Sequence, residues 1–325
     1  MPSPIVPNEY PIELTPPDIT PYKAGNTGID YITRFDSGRP GPHVMITAVV
    51  HGNELCGAIA LDWLFKHDVK PLKGTLSLGF MNVAAYHSFD PEMPTTSRYV
   101  DEDFNRLWTA GVLDDAGRQS VELTRAREVR PYMDTVDQLL DIHSMQRKQP
   151  AMMMAGPLAK GRELAKAVGL PEIVVTDAGH AAGKRMRDYE GFADPASPKN
   201  ALLMECGQHW EAAAGPLAIH TALRFLLVNE LVDPDWAAEG LADMEQPARQ
   251  RFIEVTGPVT IETQDFRFVD NFMGLEVIPK AGSVIAYDGD TPVETPYDDC
   301  VLIMPSRRLD PGASAVRLGR YVDMG

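Results

Sequence analysis

The sequence predicts an α/β protein in which a layered sheet carries helices on both faces, followed by a small β-rich region. Two features of the 325 residues lead to this fold class. Up to about residue 246, short apolar runs typical of buried strands alternate with amphipathic segments of helical period. Beyond it, short β-like runs are separated by turn-forming Gly, Pro and Asp residues. The chain therefore divides into an extended N-terminal arm over 1–30, a main domain over 31–246 and a C-terminal β domain over 247–325.

The elements of this division follow from local patterns, taken in chain order. The arm holds seven prolines by position 21, which favours extended chain. Residues 44–50 form an apolar run too short for a helix, as expected of a strand buried on both faces. Residues 53–67 keep one apolar stripe of helical period. We expect further strands over 74–83, 136–142, 151–155, 172–176 and 201–206, and further helices over 115–132, 157–168 and 215–231.

Charge and composition exclude several classes of function. A net charge of −16 repels phosphate backbones and anionic lipid, so we expect neither nucleic-acid nor membrane binding. No apolar run approaches the roughly 20 residues of a membrane span. The first residues have no signal-peptide pattern, and the three scattered cysteines are typical of reduced thiols, so we expect a cytoplasmic protein. The first strand-to-helix turn lacks the glycine pattern of a dinucleotide site.

Two polar tetrapeptides follow predicted buried strands. The first is His-Gly-Asn-Glu at 51–54, and the second is Asp-Ile-His-Ser at 141–144. Ligands at neighbouring strand ends converge above a sheet. His51, Glu54 and His143 then form a His-Glu-His set with an open fourth position, as in catalytic zinc sites. Asp141 either is an outer partner of that set or points its side chain away from it. The alternative for the first fragment is a helix N-terminus satisfied by its own side chains.

Three further segments carry ionisable groups. Residues 98–106 read RYVDEDFNR, and their arginines and asparagine suit a substrate carboxylate, although surface salt bridges are the commoner outcome. Glu205 ends an apolar strand, where burial would raise its pKa toward the range of a general base; otherwise it is structural. Arg185 and Arg187 are candidates for binding an acidic side chain of the substrate, with a solvated loop as the alternative. His209 is the remaining histidine of interest because it neighbours Glu205.

Together these motifs, in this order, resemble the succinylglutamate desuccinylase/aspartoacylase family of the zinc carboxypeptidase-like superfamily. The resemblance covers roughly residues 40–232. It implies a carboxypeptidase-like three-layer α/β/α domain with a mixed central sheet, plus a small C-terminal all-β domain.

The resemblance also implies the roles of the site residues. It assigns His51, Glu54 and His143 as ligands of Zn²⁺, Arg98 as the group that polarises the scissile carbonyl, and Glu205 as the catalytic glutamate. Asn105 and Arg106 match the pair that holds the α-carboxylate of the substrate.

Departures from the family pattern surround the predicted specificity pocket. Val83 stands where the family usually has a proline after the asparagine at 82, and residues 107–109 read Leu-Trp-Thr in place of Phe-Pro-Gly. Gln208 follows Gly207 without the proline of aspartoacylase. Because of these changes, the resemblance does not identify the acyl group of the substrate.

The sequence therefore predicts a zinc-dependent hydrolase that cleaves the amide bond of a small N-acyl amino acid or a related compound. Its partner would be a small carboxylate-bearing molecule, and a homo-oligomer is left open. The alternatives are an esterase or deacylase for another small substrate, and a metal-bearing binding protein without turnover.

Overall fold

The computed structural model of the chain describes residues 9–179, 182–242, 247 and 249–323. Its strands are β1 (Ile32–Asp36), β2 (His43–Ala48), β3 (Thr75–Phe80), β4 (Gln138–Met145), β5 (Met152–Met154), β6 (Ile173–Thr176), β7 (Asn200–Gln208), β8 (Arg251–Thr260), β9 (Phe266–Phe268), β10 (Val277–Ile278), β11 (Val284–Asp288), β12 (Thr291–Glu294), β13 (Cys300–Ile303) and β14 (Ser314–Val322). The α-helices are α1 (Leu55–Lys66), α2 (Val83–His87), α3 (Ala110–Leu113), α4 (Val121–Met133), α5 (Ala159–Val168), α6 (Ala214–Val228) and α7 (Pro234–Leu241). Within these described ranges, no helix combines the length and apolar character needed to cross a membrane.

The predicted strands and helices of the main domain are all present, with shifted ends. The largest shift concerns the helix expected over 115–132, because α4 begins only at Val121. Ser120 caps it, its hydroxyl accepting a hydrogen bond from the backbone N–H of Leu123 at 2.9 Å. The polar stretch 114–119 before this cap forms a loop that follows the short helix α3.

Eleven strands form one mixed sheet in the order β1-β3-β2-β4-β7-β5-β6-β8-β14-β13-β10. The central strands β3, β2, β4 and β7 run parallel to one another, whereas β1 pairs antiparallel with β3 and β5 pairs antiparallel with β7. The mixed sheet expected from the family resemblance is therefore confirmed. The parallel centre matters for function, because it brings the carboxyl ends of β2, β4 and β7 to the same edge.

Helices cover both faces of this sheet, which confirms the predicted three layers. Alternate side chains of β2 point to opposite faces, as strand geometry requires. Val44 and Ile46 belong to a core shared with α1 and α6, whereas Met45 belongs to a second core shared with α4. The fully buried strands explain why their sequences read as continuous apolar runs rather than as alternation.

The described chain after Pro247 is built from β-strands, as predicted. Strand β8 pairs in parallel with β6, so the large sheet continues across the expected boundary, and β14, β13 and β10 extend it. A separate sheet of three strands, β12-β11-β9, forms beside this extension. The division into domains over 31–246 and 247–325 stays a prediction.

The described part of the predicted N-terminal arm, from residue 9, lies along the main domain. Ile12 and Leu14 pack against the core between the sheet and helices α1 and α6. The backbone N–H of Glu13 donates a hydrogen bond to the carbonyl of Trp210 at 2.9 Å. Residues 1–8 of the predicted arm lie outside the described residues.

Candidate metal centre and pocket

The turn after β2 positions the first polar tetrapeptide. Val49 adopts a φ of +54°, a left-handed conformation that is rare for a β-branched residue and marks local strain. Gly52 then passes so close to helix α2 that a Cβ atom would lie 2.2 Å from the backbone of Ala85. Its N–H donates to the carbonyl of Arg98 at 3.1 Å. The glycine therefore permits the close approach that places Arg98 beside His51.

The three predicted metal ligands lie together in the protein interior. The carboxylate of Glu54 sits between two imidazoles, with Oε1 at 2.7 Å from His51 Nδ1 and Oε2 at 2.8 Å from His143 Nδ1. One ligand atom from each residue lies within 4.8 Å of the others. Glu54 also precedes the first turn of α1, where the positive end of the helix dipole favours an anion.

Each histidine of this set has a carboxylate at its other ring nitrogen. Asp141 Oδ2 lies 2.8 Å from His143 Nε2, and Asp103 Oδ1 lies 3.0 Å from His51 Nε2. A carboxylate at Nε2 favours the tautomer that presents Nδ1 to a metal ion. Two Nδ1 atoms and one carboxylate match the His₂Glu donor set of catalytic zinc sites, so the residues present fit zinc.

Asp103 was not singled out by the sequence analysis, although it lies inside the quoted segment 98–106. Its position depends on a second residue that the sequence analysis missed, the buried Glu122 of α4. The Glu122 carboxylate accepts hydrogen bonds from three consecutive backbone N–H groups, those of residues 100, 101 and 102. Helix α4 therefore anchors the loop between Arg98 and Asp103. A single glutamate in an amphipathic helix gives no sequence signal for such a role.

Arg98 lies at the edge of the metal centre. Its Nη2 lies 2.9 Å from His51 Nε2 and donates to Asp103 Oδ2 at 3.1 Å. Asp103 and Glu54 raise the pKa of Arg98 even though burial acts in the opposite direction. The guanidinium is therefore a fixed positive charge beside the ligand set.

The predicted carboxylate-binding pair occupies two different positions. Arg106 faces the pocket, with Nη2 3.9 Å from Asp103 Oδ2. Asn105 is buried, and its Oδ1 accepts a hydrogen bond from the backbone N–H of Met186 at 2.8 Å. Asn105 Nδ2 lies 3.4 Å from His143 Nε2. Asn105 does not line the pocket, and its substrate role stays a prediction.

Charge pairing dominates the electrostatics of the ligand set. Burial acts to raise the pKa of Glu54, but His51 and His143 outweigh it and hold this pKa well below its usual value. Burial acts to lower the pKa of His143, but Asp141 and Glu54 hold it well above its usual value. A metal ion at this set would displace the His143 proton, so metal affinity should rise with pH.

Glu205 lies next to this set on the adjacent strand. In the register of β4 and β7, His143 and Glu205 are paired directly. The Oε2 atom of Glu205 is buried without a hydrogen-bond partner among the described residues. Burial, helped by the negative charge of Glu54, raises the pKa of Glu205 to about 8, against the opposing effects of His143 and Arg98. A nearby metal cation would lower this pKa.

A pocket opens over the metal centre and has a volume of about 190 Å³, which suits a molecule smaller than a typical drug. The main domain and the C-terminal β region both line it. Its charged residues are the carboxylates of Glu54 and Glu205 and the guanidinium groups of Arg98, Arg106, Arg147 and Arg317. The excess of positive charge favours an anionic ligand.

Comparisons with known proteins indicate the family of the chain. A model of the succinylglutamate desuccinylase/aspartoacylase catalytic domain matches residues 40–225, which is more than half of the chain. The chain belongs to this family. A curated relative, a probable aspartoacylase from Parasynechococcus marenigrum (strain WH8102), is 40% identical over 88 residues; this match spans only 26% of each chain.

Solved structures support the same fold. Succinylglutamate desuccinylase from Vibrio cholerae matches with a TM-score of 0.67 and 17% identity, over 91% of this chain and 86% of that chain. The enzyme from Vibrio parahaemolyticus matches with a TM-score of 0.66 and 17% identity, over 90% and 87%. At this identity the likeness establishes the shared fold of the desuccinylase/aspartoacylase family, and nothing finer.

Two candidate residues lie elsewhere than the sequence analysis expected. Arg185 is buried and pairs with Asp177 and Asp188, both at 2.6 Å. Arg187 is also buried and pairs with Asp188 at 2.7 Å. Neither arginine lines the pocket over the metal centre. Burial makes each guanidinium pair internally, and the assignment of these two arginines to substrate binding stays a prediction that these contacts do not support. The cation that does face the pocket from this network is Arg317, which also pairs with Asp177.

Replacing Arg185 should therefore affect stability and not the metal centre. The Arg185→Met change leaves Asp177 and Asp188 short of a buried partner, which typically costs about 3–5 kcal/mol of unfolding free energy. The matched control is Arg34→Met, which removes a half-exposed pair with Asp36 and should cost at most about 1 kcal/mol. Urea denaturation measures both. Equal stability of the two variants would contradict the structural role of Arg185.

Proposed function

We propose that this chain is a zinc-dependent hydrolase that cleaves the amide bond of a small N-acyl amino acid or a related compound. The observation that carries the proposal is the buried His51–Glu54–His143 set with Glu205 paired to His143 across neighbouring strands. Membership of a family that includes deacylases supports the same reaction class. The cationic pocket supports a carboxylate-bearing substrate. Three free cysteines support a cytoplasmic location.

The proposed metal ligands and Glu205 have different roles in the reaction. His51, Glu54 and His143 would hold the zinc ion. When bound, zinc supplies Lewis-acid chemistry, which lowers the pKa of water and polarises a carbonyl. Glu205 accepts the proton of the attacking water and delivers it to the leaving nitrogen, as a general base and then a general acid.

Positioning and charge stabilisation fall to the two pocket arginines. Arg98 stabilises the negative charge that develops on the carbonyl oxygen, because its guanidinium is fixed beside the metal set before the reaction begins. Arg106 binds the α-carboxylate of the amino-acid half, where a planar guanidinium can donate two parallel hydrogen bonds. The two roles require a substrate whose carboxylate lies close to the scissile amide.

Amide hydrolysis should be tested with a set of substrates that varies both halves independently. We suggest the N-acetyl, N-butanoyl and N-succinyl derivatives of aspartate, glutamate and leucine, assayed with zinc-loaded protein. Corresponding esters test the alternative bond type. Metal binding without hydrolysis of any member would favour a binding protein without turnover.

Zinc binding itself makes a separate prediction. Protein purified without chelator should contain about one zinc per chain, as measured by atomic emission. His143→Ala removes one ligand and should lose most of this metal. His43→Ala is the matched control, because His43 lies at the opposite end of β2 and contacts Ser77 and Thr135. Equal zinc in the two variants would contradict the ligand assignment.

Glu205→Gln tests the general base. The substitution keeps the side-chain shape and removes the basic carboxylate, so folding and zinc content should survive. General-base catalysis contributes about 10²–10⁴-fold, so kcat should fall by at least about 10²-fold with little change in KM. Any limb of the pH profile of kcat/KM that depends on Glu205 should disappear. A Gln variant that keeps near-native kcat would place the base elsewhere.

A further inference from the structure

His209 is a buried polar side chain for which the proposed mechanism has no role. It is 1% exposed and lines the pocket over the metal centre. Its Nε2 has no hydrogen-bond partner among the described residues. A buried polar atom without a partner costs about 1–3 kcal/mol, so a bound molecule is the expected source of that partner.

The rest of the His209 side chain is held firmly. Its Nδ1 lies 2.9 Å from the hydroxyl of Ser144, and its backbone N–H donates to the carbonyl of Met145 at 2.9 Å. The Ser144 backbone N–H donates to Glu54 Oε2 at 3.2 Å. The imidazole is therefore oriented by the same residue that contacts a predicted metal ligand.

The position of His209 relative to Arg106 indicates which half of a substrate it would meet. Arg106 lies on the His51 side of the His51–Glu54–His143 set, because Asp103 contacts both Arg106 and His51. Ser144 lies on the His143 side, because it contacts the Glu54 oxygen that faces His143. A substrate held by Arg106 with its amide at the metal set extends its acyl half toward His209.

We propose that His209, oriented by Ser144, binds the acyl half of the substrate and selects acyl groups that carry a polar end. In the tautomer that this role requires, the Ser144 hydroxyl donates to Nδ1 and the N–H at Nε2 donates to an acyl oxygen. This inference rests on the proposed function, which supplies the orientation of the substrate. It assigns His209 and Ser144 to specificity, and leaves proton transfer to Glu205.

Substitution of His209 by each of the two amide residues tests its two ring nitrogens separately. His209→Asn places a polar atom near Nδ1 and keeps the contact with Ser144, but it removes the Nε2 donor. His209→Gln places an amide nitrogen near Nε2 and should recover much of what the Asn variant loses. Ser144→Ala removes the hydroxyl that orients the imidazole. It should cause the same change as His209→Asn, but to a smaller extent. The matched control is His67→Asn, because His67 lies outside the pocket and stacks on Trp63.

The substrates are N-succinyl-L-glutamate and N-pentanoyl-L-glutamate, whose acyl groups have similar length and differ in the polar end. A hydrogen bond to a charged group is worth about tenfold or more in affinity. In His209→Asn, KM for the succinyl compound should therefore rise about tenfold, with kcat within about twofold and the pentanoyl compound unchanged. Unchanged KM for both compounds, an equal rise for both, or a fall in kcat with both would overturn the proposal.

Calorimetric titration of the same zinc-loaded variants with the same two compounds distinguishes this inference from the proposed function. If the wild-type protein hydrolyses neither these two compounds nor any member of the substrate set above, the proposed function fails, and the dissociation constants still decide the role of His209. A loss of affinity for the succinyl compound alone in His209→Asn supports the proposal. Equal dissociation constants in wild type and variant, or no binding of either compound, overturn it.

Discussion

The site is organised around one buried negative charge, the carboxylate of Glu54. A carboxylate in the protein interior is stable only when opposite charges and hydrogen bonds compensate it. Here both of its oxygens face imidazoles, and the carboxylates of Asp103 and Asp141 in turn hold the outer nitrogens of those rings. In the metal-free protein, a proton on His143 balances the charge of the Glu54 carboxylate. A divalent cation bound to the same residues can replace that proton.

The sheet makes this arrangement possible at short distances. Because β2, β4 and β7 are parallel neighbours, their carboxyl ends deliver residues from three distant stretches of sequence to one edge. The in-register pairing of His143 with Glu205 sets the separation between a ligand and the proposed base. The C-terminal strands then continue the same sheet and bring Arg317 to the pocket, so strands from both parts of the sheet contribute residues to it.

Sequence reasoning predicted the parts of the molecule that depend on local pattern. Buried strands were recognisable as short apolar runs, and the ligand tetrapeptides stood where these runs ended. Contacts that depend on long-range pairing could not be read from the sequence. Arg185 and Arg187 looked like free cations, but Asp177 and Asp188 neutralise them inside the protein. The roles of Asp103 and Glu122 also required the fold, because each acts through a backbone or side chain far away in sequence. The same holds for Arg317, which β14 brings to the pocket.

The most direct test of this account is the location of the metal. Anomalous diffraction at the zinc edge, from crystals of the zinc-loaded protein, should show one peak per chain. We predict that it lies about 2.0–2.2 Å from His51 Nδ1, His143 Nδ1 and a carboxylate oxygen of Glu54, with at least one coordination position left for water or substrate. A peak that instead contacts the Nε2 atoms, or that lies away from Glu54, would contradict the central claim that this buried carboxylate organises a metal centre.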